Sequence, residues 1–158
     1  IYKLDAATGK IIWEYERECV RYDDIAGGVQ CTPLLGKAGS NIDGLIIYAV
    51  GRTSLEPDDP YIAYRGVLVA LDKETGEKIW EISTGNYAWS SPTALYTHDG
   101  HAYIFQANAS GVCRLIDGST GEVLANLNLN ETVEASPVVF GNMLVIGSRE
   151  GVYGIKVS

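Results

Sequence analysis

Positive charge is scarce in this sequence. Lys and Arg together number 12 against 20 Asp and Glu, a formal net charge of −8. Such a surface repels phosphate backbones and anionic headgroups, and no basic cluster offsets it. Nucleic acid is therefore excluded as the main partner. Long apolar runs are also missing. The longest, Leu45 to Val50, is far below the roughly 20 residues that cross a bilayer, so no membrane insertion is expected. Histidine occurs twice and cysteine three times. Cys19, Cys31 and Cys113 form no C-x-x-C and no His-containing metal spacing. They leave two readings open, a Cys19–Cys31 bridge in an oxidising compartment or free thiols on strands. His98 and His101 lack a nearby third ligand and read as exposed turn histidines. No G-x-S-x-G, Walker A or H-E-x-x-H is present, and neither a catalytic residue nor a metal ligand is assigned. No charged-then-apolar leader precedes the first patterned segment, so any leader is expected to lie outside the sequence.

Glycine and tyrosine are abundant, at 18 and 10 of 158 residues, within a 46% apolar composition that fits a globular chain. Their placement is periodic. Leu4-Asp5-Ala6-Ala7-Thr8-Gly9-Lys10-Ile11-Ile12-Trp13 matches Leu71-Asp72-Lys73-Glu74-Thr75-Gly76-Glu77-Lys78-Ile79-Trp80 at each key position. A third copy keeps Asp117, Thr120 and Gly121 but has Ala125 where the others have Trp. A fourth begins at Tyr153 with Lys156 in the Asp position. Thr32-Pro33, Ser91-Pro92 and Ser136-Pro137 recur in phase, each ahead of a Gly-led apolar stretch. Without the extra residues near 37–43 and 52–64, the unit is about 40–45 residues, the length of a four-stranded propeller blade.

Short β-rich runs bounded by Gly, Asn and Asp agree with that unit, and no stretch keeps a 3.6-residue period. The chain is expected to be all-β, a β-propeller of four-stranded antiparallel blades. Residues 1–16 would supply the last two strands of one blade, 29–83 and 89–128 two full blades, and 133–158 three strands of another. The innermost strands are placed at 30–36, 90–96 and 134–140. Asp-x-x-Thr-Gly suits a tight turn, with the Asp carboxylate and Thr hydroxyl bonding turn backbone and Gly at positive φ. The Trp four residues later is expected to bury its ring against the neighbouring blade.

Ala70-Leu71-Asp72-x-x-Thr75-Gly76-x-x-x-Trp80 resembles the tryptophan-docking motif of the pyrroloquinoline-quinone-like (quinoprotein-type) β-propeller repeats, and the resemblance runs through essentially the whole chain. It implies an incomplete arc of a larger, about eight-bladed ring. The open blade faces would then need the remaining blades or a second copy. The family includes quinoprotein dehydrogenases, a periplasmic scaffold lipoprotein of outer-membrane assembly and other extracytoplasmic proteins, so the resemblance also implies a periplasmic or secreted location. The dehydrogenases carry a vicinal Cys-Cys pair beside their cofactor. This sequence has no such pair and no Ca²⁺-ligand set matching theirs, so no cofactor is expected. Pyrroloquinoline quinone with Ca²⁺ enters only if the chain is part of a dehydrogenase.

Propeller topology puts the long segments 17–29 and 52–64 on one face, where Tyr87 and Arg149 also emerge. Long loops on a rigid scaffold commonly carry function. Counting back from each Pro places Gln30, Trp89 and Glu134 together at the mouth of the central channel, and Arg52, Tyr61 and Tyr64 in the insert complete the candidate binding set. Glu56, Asp58 and Asp59 read as a solvated acidic loop, because the alternating ligands of a Ca²⁺ loop are missing. The expected function is a non-enzymatic scaffold or binding module for a protein or small ligand. The alternatives are a fragment of a quinone-dependent dehydrogenase, or the extracellular sensor portion of a signalling protein.

Overall fold

β-branched and aromatic residues alternate with turn residues along the whole chain, and the computed structural model, which describes residues 1–157, resolves them into strands. The expected final segment 133–158 includes Ser158, which lies outside the described residues. Among these are thirteen strands, β1 Tyr2–Leu4, β2 Ile11–Glu14, β3 Leu34–Leu35, β4 Leu45–Gly51, β5 Gly66–Asp72, β6 Lys78–Ser83, β7 Thr93–Tyr96, β8 Ala102–Ala107, β9 Val112–Asp117, β10 Val123–Asn128, β11 Val138–Phe140, β12 Met143–Gly147 and β13 Val152–Lys156. They form four sheets in chain order: β1-β2, β3-β4-β5-β6, β7-β8-β9-β10 and β11-β12-β13. Neighbouring strands are antiparallel throughout. The architecture is a partial β-propeller, and its sheets are called blades one to four below.

The core lies between blades. Val50, Val67, Val69 and Leu71 pack with Trp13 of blade one. Ile47, Leu68 and Trp80 of blade two pack with Ile104 and Ile116 of blade three. Phe105 and Cys113 of blade three pack with Leu144 and Ile146 of blade four. Each blade therefore buries its apolar face only against its neighbour, as in other quasi-one-dimensional repeat structures.

The motif turns are the fasteners. Asp5, Asp72 and Asp117 each accept, through Oδ1, the N–H of the Thr three residues on, at 2.7, 2.8 and 3.0 Å. The indole N–H of Trp13 donates to the Lys73 carbonyl at 3.2 Å, and that of Trp80 to the Gly118 carbonyl at 3.0 Å. Lys73 and Gly118 are equivalent, each following the motif Asp of the next blade. The motif glycines serve two ends. Gly76 and Gly121 adopt φ of +77° and +78°, and a Cβ on either would stand 2.7 or 2.9 Å from Cδ2 of the docked indole. Only a residue without a side chain fits the turn and the ring together.

The Asp carboxylates make this turn acid-sensitive. Burial raises the pKa of Asp117, but hydrogen bonds from Ser119 and Thr120 outweigh it and hold the group at about 2, against 3.8 for a free Asp. A depressed folded-state pKa gives stability that is complete above the unfolded value and lost as pH falls through the folded one. Urea midpoints are thus expected to fall between pH 4 and pH 2 in the native chain, and to fall less steeply in Asp117→Asn. Parallel acid profiles would remove Asp117 as the source.

Two expectations need correction, and one alternative left open is decided. The inner strands are shorter than expected, starting at Leu34, Thr93 and Val138, each immediately after its proline. Proline has no N–H for the ladder, and the residue before it bonds across blades instead. The Thr32 N–H donates to the Ser91 hydroxyl, and the Ser91 N–H to the Ser136 hydroxyl, both at 3.0 Å. His101 is not a free turn histidine. Its Nε2 lies 2.8 Å from Asp117 Oδ2 and its Nδ1 3.1 Å from Asn41 Nδ2. Asn41 Oδ1 is already taken by the Ala102 N–H at 2.9 Å, so the Asn41 amide donates to Nδ1 and His101 Nε2–H donates to Asp117. The Cys19–Cys31 bridge is absent, since all three cysteines are free. Cys19 packs in the cluster between blades one and two and Cys31 in that between blades two and three, so different interfaces hold the two thiols.

A candidate binding face between two long loops

Segment 17–29, leading from blade one into blade two, and the 52–65 insert between β4 and β5 are bound to each other. The Arg17 guanidinium donates to Thr53 Oγ1 and to the Ser54 carbonyl, both at 3.0 Å, and pairs with Glu81 on β6. Thr53 Oγ1 donates to the Glu18 carbonyl at 2.8 Å. Gly28 and Gly51 exchange two backbone hydrogen bonds of 2.9 Å. These contacts leave a groove of about 510 Å³ between the loops, with Glu16, Glu18, Glu56 and Asp58 among its walls beside Arg17 and Ile62. Arg17 is already paired with Glu81, so the groove presents negative charge.

The insert has its own brace. Asp59 is not a solvated acid, for its side chain is only 5% exposed and paired with Arg65 at 3.0 Å. It also accepts from the Tyr61 N–H at 2.8 Å and the Ser54 hydroxyl at 3.0 Å. The Tyr61 bond, with those from Arg65 and Ser54, lowers its pKa despite partial burial. Ile62–Tyr64 form a single 3-10 turn. Among the described residues no three His, Cys, Asp or Glu side chains gather to hold a metal.

Beside the groove runs a line of rings that pack at tilted angles. Arg52 is 4% exposed, holds φ of +60°, and donates to the Ala63 carbonyl at 2.9 Å. Its guanidinium carbon lies 4.9 Å from the Tyr87 ring centre and 5.6 Å from that of Tyr22, an arrangement that favours a cation between faces. Tyr87 in turn packs on Trp89 at 5.0 Å. The Tyr22 and Tyr64 hydroxyls share a hydrogen bond of 2.7 Å, and this bond with the charge of Asp23 pushes the Tyr22 pKa up to about 12. The structure thus brings together Arg52, Tyr64, Tyr87 and Trp89 from the expected set. Tyr61 is exposed, with the Arg65 guanidinium 5.7 Å from its ring centre. Gln30 bonds only the nearby Ala26 carbonyl at 3.4 Å, and Glu134 pairs with Arg149 in blade four. The three channel-mouth positions therefore have separate partners.

Sequence reasoning missed Tyr22 and Arg17, which hold the two loops together. The only available signal was membership of the two long segments, since their partners lie 36, 42 and 64 residues away for Arg17–Thr53, Tyr22–Tyr64 and Arg17–Glu81. The three cysteines occupy different surroundings and the acids of the insert are engaged or scattered.

Fold and motif turns together define a propeller segment built from tryptophan-docked repeats. The family described as outer membrane protein assembly factor BamB, a PQQ-type repeat family, matches residues 61–156, more than half of the chain. The chain belongs to this PQQ-like repeat family. It is 24% identical over 151 residues to a 1-butanol dehydrogenase (quinone) of Thauera butanivorans, covering 90% of this chain and 20% of that protein. The chain thus spans about a fifth of the length of this curated relative. Among solved structures, the C-terminal WD40 domain of Sif2 superposes with a TM-score of 0.59 at 15% identity, over 93% of this chain and 35% of that one. A europium-containing methanol dehydrogenase aligns with a TM-score of 0.47 at 21% identity, over 70% of this chain and 22% of its own. No helix among the described residues is long and apolar enough to cross a membrane.

Proposed function

We propose that the chain is the binding segment of an extracytoplasmic propeller protein, engaging a protein segment or small ligand that carries positive charge. The observation that carries this reading is the groove between the two long loops, preformed by Arg17 and Asp59 and lined by carboxylates. A surface held in place before contact loses less entropy on binding. Opposite charge across the contact would speed encounter and favour cationic partners. The Arg52–Tyr87–Trp89 line, packed at tilted angles, gives the same face aromatic area of the kind that dominates interfaces. The role needs no chemistry at the site, in keeping with a scaffold. A tetralysine peptide measured by calorimetry at low salt tests it. The native chain should bind, and Glu16→Gln/Glu18→Gln/Glu56→Gln should bind at least about fivefold more weakly with an unchanged melting midpoint. Equal binding by both would end the groove reading.

The match to a quinone-dependent 1-butanol dehydrogenase over 90% of the chain favours a second reading, a segment of a dehydrogenase ring. Titration with pyrroloquinoline quinone and Ca²⁺ separates the two. The scaffold reading expects no stoichiometric uptake, and tight one-to-one binding would replace it with the dehydrogenase reading.

A further inference from the structure

Blades two and three each carry all four strands, and the seam between them holds a run of bonds whose donors are fixed. The Ala102 N–H can only donate, so the atom that meets it at 2.9 Å is Asn41 Oδ1. The Asn41 Nδ2 group can also only donate, and it stands 3.1 Å from Nδ1 of His101. Nδ1 therefore carries no proton, and the ring N–H is at Nε2, 2.8 Å from Asp117 Oδ2. This arrangement exists only while His101 is neutral. An imidazolium has a proton on both nitrogens, and its Nδ1–H would face the Asn41 donor. Turning the amide over gives no relief, because Nδ2 would then face the Ala102 N–H.

The groups around the ring decide which bond yields. Asp117 on β9 and Asp99 on the turn before β8 are its acidic neighbours, and the Tyr103 ring on β8 packs on it at 4.7 Å. His98 belongs to the same turn. The 37–43 insert contributes the neutral Asn41. Its own charges are engaged elsewhere, Lys37 over the Tyr96 ring at 5.6 Å and Asp43 with Lys73 at 2.9 Å. Asp117 takes up its proton only at about 2, so a charged His101 keeps its bond to Asp117 and strengthens it. Asn41 is the partner that loses. The other ties from the insert to blade three are few. The Asn41 N–H donates to the Gly100 carbonyl at 3.0 Å and the Lys37 N–H to the Tyr96 hydroxyl at 3.1 Å. Ile42, fully buried in the seam, anchors the base of the insert. Its tip and the 97–100 turn wall a groove of about 270 Å³.

We propose that the Asn41–His101 contact is an acid-opened latch, closed while the imidazole is neutral and released when it takes up a proton. Histidine is the side chain that ordinarily changes charge between about pH 5 and 8. The latch thus answers to mild acid, well above the range in which the Asp117 turn itself weakens. The width of the groove between insert and turn then follows pH. The latch joins the β3–β4 insert to the β7–β8 turn, at the end of the blades opposite the loop groove, and does not rest on the function proposed for that groove.

NMR between about pH 8 and about pH 5 reads the latch. Ring nitrogen shifts report the charge of His101, and hydrogen exchange, corrected for the intrinsic rate at each pH, reports the tether. In the native chain, protonation of His101 should cost the Asn41 backbone amide about three- to tenfold in protection, the worth of one neutral hydrogen bond. The amides of Leu68 and Ile104, both fully buried, should keep theirs. Asn41→Asp should reverse the sign. A carboxylate accepts from both the Ala102 N–H and an imidazolium Nδ1–H, so the amide at position 41 should be better protected at the lower pH. His101→Ala should show no pH step, and it serves if the Asn41 variant does not fold. A His101 that stays neutral at about pH 5 would overturn the proposal. So would a charged His101 with unchanged protection at Asn41, an Asn41→Asp variant that follows the native direction, or a pH step that persists in His101→Ala.

Discussion

Replacing Trp80 by alanine is expected to lower the unfolding free energy by about 3–5 kcal/mol, the range of large-to-small changes in packed cores. The indole is 8% exposed and sits in the cluster that joins blades two and three. Its removal takes away apolar burial and strands the Gly118 carbonyl, which loses its donor. The rigid turn beneath the ring cannot collapse into the gap, because Asp117 holds it through bonds to Ser119 and Thr120. Urea unfolding followed by circular dichroism reads the loss. A change below about 1 kcal/mol would show that the ring contributes no more than a surface side chain.

Gly121→Ala attacks the same contact from the opposite side. A Cβ there would lie 2.9 Å from indole Cδ2 and Cε3 of Trp80 and would sit on a backbone at φ +78°. Left-handed backbone costs an L-residue about 1–2 kcal/mol, and forcing bulk into a packed contact adds about 1–3 kcal/mol. The expected total is about 2–5 kcal/mol. The two substitutions should not add. With Trp80 already gone the steric part vanishes, and Gly121→Ala should then cost only the backbone part, about 1–2 kcal/mol. Additive losses in the double variant would mean that the ring and the glycine are not in contact.

The sequence made this contact legible because both halves repeat in register. An Asp-x-x-Thr-Gly turn carries its chemistry locally, and three copies, two of them followed by Trp, leave one architecture. The onset of the inner strands was harder to read. β-rich character begins upstream of Pro33, Pro92 and Pro137, yet the ladder begins after them, since the N–H groups ahead are drawn to hydroxyls in the next blade. His101 was misread for a related reason. Its partner Asn41 arrives from an insertion 60 residues earlier, and no local pattern encodes that meeting. The candidate site divides in the same way. Arg52, Tyr64, Tyr87 and Trp89 stood out by residue type and loop membership. The role of Arg17 depends on how two loops lie against each other, and that of Asp59 on how the insert folds back on itself, neither of which composition fixes.

Two repeated sets of bonds between blades run one way, although the Ala102 N–H and the Arg114 guanidinium donate back to blade two. Thr32 gives its proton to Ser91, Ser91 gives one to Ser136, and each indole likewise gives to the blade that follows. Every blade is thus a plug on one side and a socket on the other, which gives the arc a head and a tail. Units of this kind can be duplicated or deleted without rewriting their neighbours, because each new junction repeats the old one. The junction of blades three and four, with Ala125 for the plug and Lys156 in the socket, has left that scheme. A blade exchanged across it would find no matching fitting, so this pair is expected to travel through sequence change as a unit while the others remain interchangeable.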